Sequence, residues 1–386
     1  MKKIYFIIFL CLLSCSTDDE IDNQEIILES EIQISNIDRS YFKDVKVYSF
    51  DTDATSKPMF FDGEAQKIMT SDERTFDIGK ILRVRAIDNF TIEISNFAPV
   101  AIENATILAK IEGVDTEIKL LHIEKIRAHA KQEIKYSFVK GSTDFVDINN
   151  NPVDLSKYKD IGITKNLIRF DFTGETKFIK VLKKLAQLDW RIKFHDYNLN
   201  NDPENDWAED ISARDIRRYT GLLINYGYVI LSDAFKDGFI KEKLINNDGS
   251  MMMLSEEKIN VYEKLVHQKF FRCGKTTHVS GLGGGSTLGV SEEVLQGFIH
   301  QKGYTILQHE IGHCLTFSHS SNLTYSKKVD DINTGTVPLI ERVLEELTIT
   351  KKLPIHANNY YRPDDFAKHH QKGAKAKKRK VCGHDD

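Results

Sequence analysis

His309-Glu310-Ile311-Gly312-His313-Cys314-Leu315-Thr316-Phe317-Ser318-His319 is the stretch that decides how this 386-residue chain is read. Two histidines stand four residues apart, a glutamate follows the first, and a third histidine comes six residues after the second. On an α-helix, positions i and i+4 lie on one face a turn apart, so His309 and His313 can direct two imidazole nitrogens at one ion. Glu310 sits roughly 100° round the helix, where its carboxylate reaches a water beside that ion without binding the ion itself. His319, returned by a sharp turn, completes a three-histidine donor set and leaves the fourth tetrahedral position open, as a catalytic zinc requires. The alternative is an ordinary helix carrying the pattern on a solvated face. The flanks oppose it: Tyr304, Ile306, Leu307, Ile311, Leu315 and Phe317 make a largely buried helix, where three histidines and a glutamate are costly without a metal.

Over His309 to His319 the chain resembles the metzincins, zinc peptidases with the signature H-E-x-x-H-x-x-G-x-x-H, and among them bacterial peptidases reading His-Glu-Ile-Gly-His. A looser likeness continues through Ser321-Asn322-Leu323-Thr324-Tyr325. The resemblance implies an α+β, zincin-like catalytic domain that hydrolyses peptide bonds. It also implies Zn2+ on His309, His313 and His319, and Glu310 as general base toward a metal-activated water. Leu323 stands where the family has a methionine beneath the site, and Tyr325 where some members have a tyrosine that helps bind the transition state. Two departures follow. Thr316 replaces the glycine that usually permits a left-handed turn before the third ligand; a β-branched residue there is an outlier, which implies a turn of different construction. No methionine follows Met253, so the methionine turn survives only as a leucine version. Glu341, Glu345 and Glu346 are rival third ligands, as in the gluzincin pattern. A non-catalytic surface binding lipoprotein on a degenerate peptidase scaffold is the rival function, with a zinc amidase or deacetylase as another.

Just upstream, Gly281-Leu282-Gly283-Gly284-Gly285-Ser286-Thr287-Leu288-Gly289-Val290 lacks the Gly-Lys-Ser/Thr ending of a phosphate loop. In the zincin arrangement this segment forms the edge strand above the cleft. An extended protein or peptide substrate would add there as a further strand, with Gly284, Gly285 and Ser286 admitting its backbone. A flexible connector is the plainer alternative.

The N-terminus opens Met1-Lys2-Lys3 and runs apolar from Ile4 to Leu13, too short to span a bilayer and suited to a signal peptide. Leu12-Leu13-Ser14-Cys15 resembles the lipobox of bacterial lipoproteins. It implies a signal peptide over 1–14, lipidation at Cys15, a polar tether over 15–36 and anchorage at the bacterial outer membrane, on its surface or periplasmic face. A generic secretory signal is the alternative. The formal charge is −4, and removal of Lys2 and Lys3 takes it to −6, which gives no nucleic-acid signature. Once Cys11 and Cys15 are set aside, Cys273, Cys314 and Cys382 remain. A Cys273–Cys382 disulfide is conceivable, and Cys314 reads as buried packing.

Residues 37–140 alternate at period two: Val45 and Val47, Leu82 and Val84, Ile92 and Ile94, Ile107 and Ala109, Ile134 and Tyr136. Turn-formers separate these runs, so an all-β, sandwich-like domain is expected there, serving as a spacer or as a binding module. His122 and His129 read as surface histidines. A turn-rich linker covers 141–160. The catalytic domain then spans 161–367 and makes the chain multidomain. In it the periodicity predicts helices from Phe178 to Leu188, from Ala213, from Ser255, from Ser291 to Gln301 and around Val337 to Leu347, with Trp190 to Phe194 a strand and Gly303 a break or kink. Asn198 to Asp206 reads as a solvated loop or, less simply, a calcium loop. The tail 368–386 carries seven positive charges between Lys368 and Lys380, either a solvated end or a contact for anionic lipid or an acidic substrate.

Overall fold

A computed structural model of the chain describes residues 45–61, 63–65, 68–136, 144–194, 206–296 and 301–356. The signal peptide, Cys15, the tether, most of the Asn198 to Asp206 loop, Cys382 and the basic tail lie outside the described residues. The fold is mixed α/β with several sheets. In chain order its first strands are β1 (Val47–Phe50), β2 (Lys57–Pro58), β3 (Thr75–Asp77), β4 (Leu82–Ala86), β5 (Thr91–Asn96), β6 (Ile102–Ile111), β7 (Ile118–Ile126), β8 (Ala130–Lys135), β9 (Asp144–Asp147), β10 (Pro152–Asp154) and β11 (Ile168–Thr173). There follow α1 (Lys177–Leu185), β12 (Arg191–Phe194), α2 (Ala213–Ile230), α3 (Asp233–Lys241), α4 (Ser255–Val266), β13 (Phe270–Thr276), β14 (Gly281–Gly284), β15 (Thr287–Ser291), α5 (Glu292–Gln296), α6 (Gln301–Cys314), β16 (Lys327–Val329), β17 (Ile332–Thr334) and α7 (Thr336–Ile349).

The alternating apolar residues build two sheets in the first half. One is ordered β10-β9-β7-β6-β11, with β1 paired to β7, and the other β2-β8-β5-β4. Sheet pairing runs across the 141–160 segment in both directions. β11, after it, pairs with β6 (Phe172 opposite Ile107), and β3, before it, pairs with β12 (Phe76 opposite Ile192). One contiguous apolar cluster spans both halves. His122 and His129 are not surface residues. His122, on β7, is 1 % exposed because β1 and β6 pair with the strand on either side, through Val47 and Thr106. His129 is also buried, its ring 4.6 Å from that of Phe60.

The second half is organised by a five-stranded sheet, β14-β15-β13-β12-β3, in which β12, β13 and β15 are mutually parallel and the two outer strands antiparallel. Helices start where polar caps occur: Thr176 accepts from Ile179 N–H at α1, and Ser212 and Asp215 form a capping box at α2. α2 is buried along nearly its whole surface, with Tyr226 stacked on Trp190 and Tyr219 donating to Leu288 O (3.0 Å). Against this frame α6 packs on β14, β15 and α7. Gly303 neither breaks nor ends α6, which is continuous from Gln301. Among the described residues no helix is long and apolar enough to cross a membrane.

Candidate metal centre

The apolar positions Leu307, Ile311 and Leu315 turn one side of α6 into the core, which leaves His309 and His313 together on the opposite side. Their Nε2 atoms are 3.1 Å apart, and His319 Nε2 is 3.1 Å from His313 Nε2. Among the described residues these three form the cluster that could hold a metal ion, with donor atoms all within 4.8 Å of one another. Glu341, Glu345 and Glu346 are exposed on α7 and take no part in it.

The donor set fits a zinc ion. Two nitrogens about 2.0–2.1 Å from one ion at the tetrahedral angle stand roughly 3.3 Å apart, close to the 3.1 Å between His313 Nε2 and each of the other two. The tautomers agree as well. His309 Nδ1–H donates to Thr324 O (3.0 Å) and His313 Nδ1–H to Phe317 O (2.7 Å). Each leaves an Nε2 lone pair facing the cluster, and lone pairs gather this closely where a cation can be shared. Burial lowers the His309 pKa to about 4, against the favourable pull of the Thr324 carbonyl, so the ring is neutral and available as a ligand.

Two turns place these groups. α6 closes in a Schellman motif: Thr316 N–H bonds His313 O (2.9 Å) and Phe317 N–H bonds Gly312 O (3.0 Å). Thr316 has φ +73°. The turn expected to be built differently is therefore the left-handed turn itself, with threonine adopting the conformation that glycine usually supplies. Asn247 flanks it, donating to Thr316 O (2.9 Å) and accepting from Ser318 N–H (2.7 Å). The second turn, Ser321 to Tyr325, lies beneath α6. Ser321 Oγ donates to Ile245 O (2.6 Å), and Asn322 donates to Lys243 O (2.8 Å) and to Thr334 Oγ1 (3.0 Å). Leu323 is buried, and its carbonyl would meet a Cβ on Gly312 at 2.6 Å. Gly312 is thus what lets the turn approach near enough for Thr324 O to reach His309. The Tyr325 ring centroid lies 4.3 Å from that of His309 and 4.8 Å from that of His319.

Glu310 is 2 % exposed, and its Oε1 has no hydrogen-bond partner among the described residues. Burial holds its carboxyl up at about 8. It lies under β14, where a Cβ on Gly281 would stand 2.4 Å from Glu310 Oε1 and one on Gly283 would stand 2.1 Å from Glu310 O. The glycine-rich segment is an edge strand closed by a two-residue hairpin. Its close approach, however, is to α6, through Gly281 and Gly283. Gly284, Gly285 and Ser286 form the open hairpin tip: an added Cβ at Gly284 or Gly285 meets nothing within 4 Å, and Ser286 O accepts from Arg272 N–H (2.7 Å). Cys314 is buried packing, its thiol donating to Thr287 O (3.2 Å), and Cys273 is likewise buried.

Sequence reading missed the orienting carbonyls of Thr324 and Phe317, and it missed Asn247. Backbone oxygens have no residue signature, and Asn247 sits in a turn-forming run, Asn246 to Ser250, with nothing to mark its docking. Compared with known proteins, the chain matches no protein-family model, no curated protein and no solved structure.

Proposed function

We propose that the chain is a metzincin-like, zinc-dependent peptidase in which His309, His313 and His319 hold Zn2+ and Glu310 is the general base. The observation that carries this reading is the convergence of three imidazole Nε2 atoms, two of them oriented by backbone carbonyls, on and just after a helix that also carries the buried Glu310 carboxyl, whose Oε1 has no partner among the described residues. Zn2+, when bound, supplies Lewis acidity toward water and the scissile carbonyl. Glu310 takes a proton from the attacking water and returns it to the departing amine. Its ionised, base-competent form is favoured by positive charge beside it. Tyr325, its ring tilted against two of the imidazoles, would steady the developing oxyanion. β14 stands at the end of its sheet, so an extended peptide can pair along its free edge.

The mixed five-stranded sheet with an antiparallel edge strand ahead of the histidine helix supports a zincin-like catalytic half. A small cavity lined by Tyr48, Leu121, Ile92 and Ile134, from strands of both sheets of the first half, supports a sandwich-like spacer there. Thr316 and Leu323, the departures that spoke for a degenerate scaffold, occupy the family positions in conformation and burial and so favour the catalytic reading over a binding lipoprotein. Glu310→Gln is expected to retain one Zn2+ per chain while peptide-library turnover falls by about 10²-fold or more. Full turnover in that variant would remove Glu310 from its role, and absence of zinc from the wild-type chain would remove the reading altogether. On the lipobox-like run at Cys15 we also place the protein at the bacterial outer membrane by a lipid anchor. Cys15→Ala should then shift it from the membrane to the soluble fraction, and a variant still in the membrane fraction would exclude that anchor.

A further inference from the structure

We infer that Asn247 is a positioning residue for the third zinc ligand: its carboxamide holds the left-handed turn at Thr316 and through it sets His313 and His319. The inference rests on the reading of the three histidines as zinc ligands. Asn247 Oδ1 accepts from Ser318 N–H (2.7 Å) and Nδ2 donates to Thr316 O (2.9 Å), one bond on either side of Phe317. A flipped carboxamide loses both bonds, so the orientation is determined by the contacts.

The turn needs such a clamp. Threonine at φ +73° is in a region that β-branched residues leave readily. Departure would carry Phe317 O away from His313 Nδ1, which it now meets at 2.7 Å, and would withdraw His319 from His313. Core packing holds this stretch only through the half-buried Phe317, because Thr316, Ser318 and Ser320 are exposed. Hydrogen bonds supply the rest.

Asn247 is mounted on a braced arm. An Ile245–Met252 bridge closes the loop, Asn246 N–H bonds Met251 O (3.0 Å), and Asp248 Oδ1 accepts from Ser250 N–H (2.8 Å) and Met251 N–H (2.7 Å). The base of the arm is pinned by the turn beneath the site, where Asn322 Oδ1 accepts from Ile245 N–H (2.7 Å). Two asparagines thus tie the arm and the ligand segment together in opposite senses. Asn322 reaches from the ligand side to Ile245, and Asn247 reaches back to Thr316 and Ser318.

A positioning role predicts coupling between residues 247 and 316 that a mere surface contact does not. The test uses the full chain as wild type, N247A, T316G and N247A/T316G. Zn2+ affinity is read by chelator competition, and ligand geometry by the visible absorption of the Co2+-substituted protein. N247A is expected to weaken Zn2+ binding about 10–100-fold and to alter the Co2+ spectrum. In the T316G background the same change should cost less than about threefold, since glycine keeps the turn without a clamp. N247D, which keeps the acceptor and loses the donor, should fall between wild type and N247A, and it carries the test if N247A does not fold. Wild-type affinity in N247A, or an equal loss in both backgrounds, overturns the inference. A wild-type chain that takes up no Zn2+ overturns it together with the ligand reading, and is told apart from the first result by the wild-type titration alone.

Discussion

Thr316→Gly should make the metal-free protein more stable. Most single substitutions destabilise, and glycine usually does so through its unfolded-state entropy. Here the balance reverses. An L-residue in the left-handed region costs roughly 1–2 kcal/mol, with a β-branched side chain at the upper end. Glycine removes that cost and adds about 0.5–1 kcal/mol of backbone entropy. Little else is lost: Thr316 is exposed, and its hydroxyl makes no hydrogen bond among the described residues. The net expectation is a gain of about 1 kcal/mol, or a rise of roughly 1–2 °C in Tm for a chain whose two halves share one core. The assay is urea unfolding at 25 °C on chelator-treated protein, so that linkage to bound metal does not contribute, with Thr316→Ala as the control. Alanine removes the β-branch but keeps a Cβ, and should recover less than half of the gain. A neutral or destabilising T316G, or a T316A that matches it, would show that the backbone at 316 is not strained in the way argued.

Two further outcomes follow from the same geometry. Gly312→Ala, which in an ordinary helix interior would stabilise, should here cost about 1–3 kcal/mol because the new Cβ lies 2.6 Å from Leu323 O and 2.9 Å from Thr324 Cγ2; a stabilised variant in urea unfolding would refute the packing of the second turn under α6. His122 carries a pH dependence. Burial lowers its pKa from 6.5 to about 4, so the unfolded chain binds the proton first and stability falls as pH drops through 6.5, levelling off below about 4. Between pH 7 and pH 5 wild type should lose about 2 kcal/mol more than His122→Gln, and equal losses in paired urea titrations would place His122 in contact with water.

The parts legible in the sequence are those whose signal is local. Histidine spacing placed three donors and a carboxylate on and just after one helix, and α2, α4 and α7 began close to where capping and periodicity put them. What stayed illegible depended on partners distant in sequence. Lys119, His122, Glu124 and Lys125 give β7 the look of a half-solvated strand, yet pairing with β1 and β6 encloses His122. β3 and β11 could not be assigned to their sheets because a short alternating run does not name its neighbour. The glycine-rich run suggests a substrate backbone approaching at Gly284, Gly285 and Ser286, whereas the close approach lies at Gly281 and Gly283 and is made by the side chain and backbone of Glu310.

Thr316 raises a question of magnitudes: why does a threonine tolerate a left-handed conformation that usually falls to glycine? The strain is roughly 1–2 kcal/mol. Against it stand the two Schellman bonds and the two bonds to Asn247, each contributing about 0.5–1.5 kcal/mol net, together with Phe317 O accepting from His313. The opposing terms exceed the strain even at their lower end, so the turn persists with the wrong residue at its apex. The same argument covers Leu323. Leucine and methionine are close in volume, and such exchanges usually cost under about 1.5 kcal/mol, while the turn's shape is held by Ser321, Asn322 and Thr336 through bonds to Ile245, Lys243 and Leu323 backbone oxygens. Both departures from the motif therefore fall where the local backbone is over-determined by other residues, and neither falls on a group that would touch zinc or substrate.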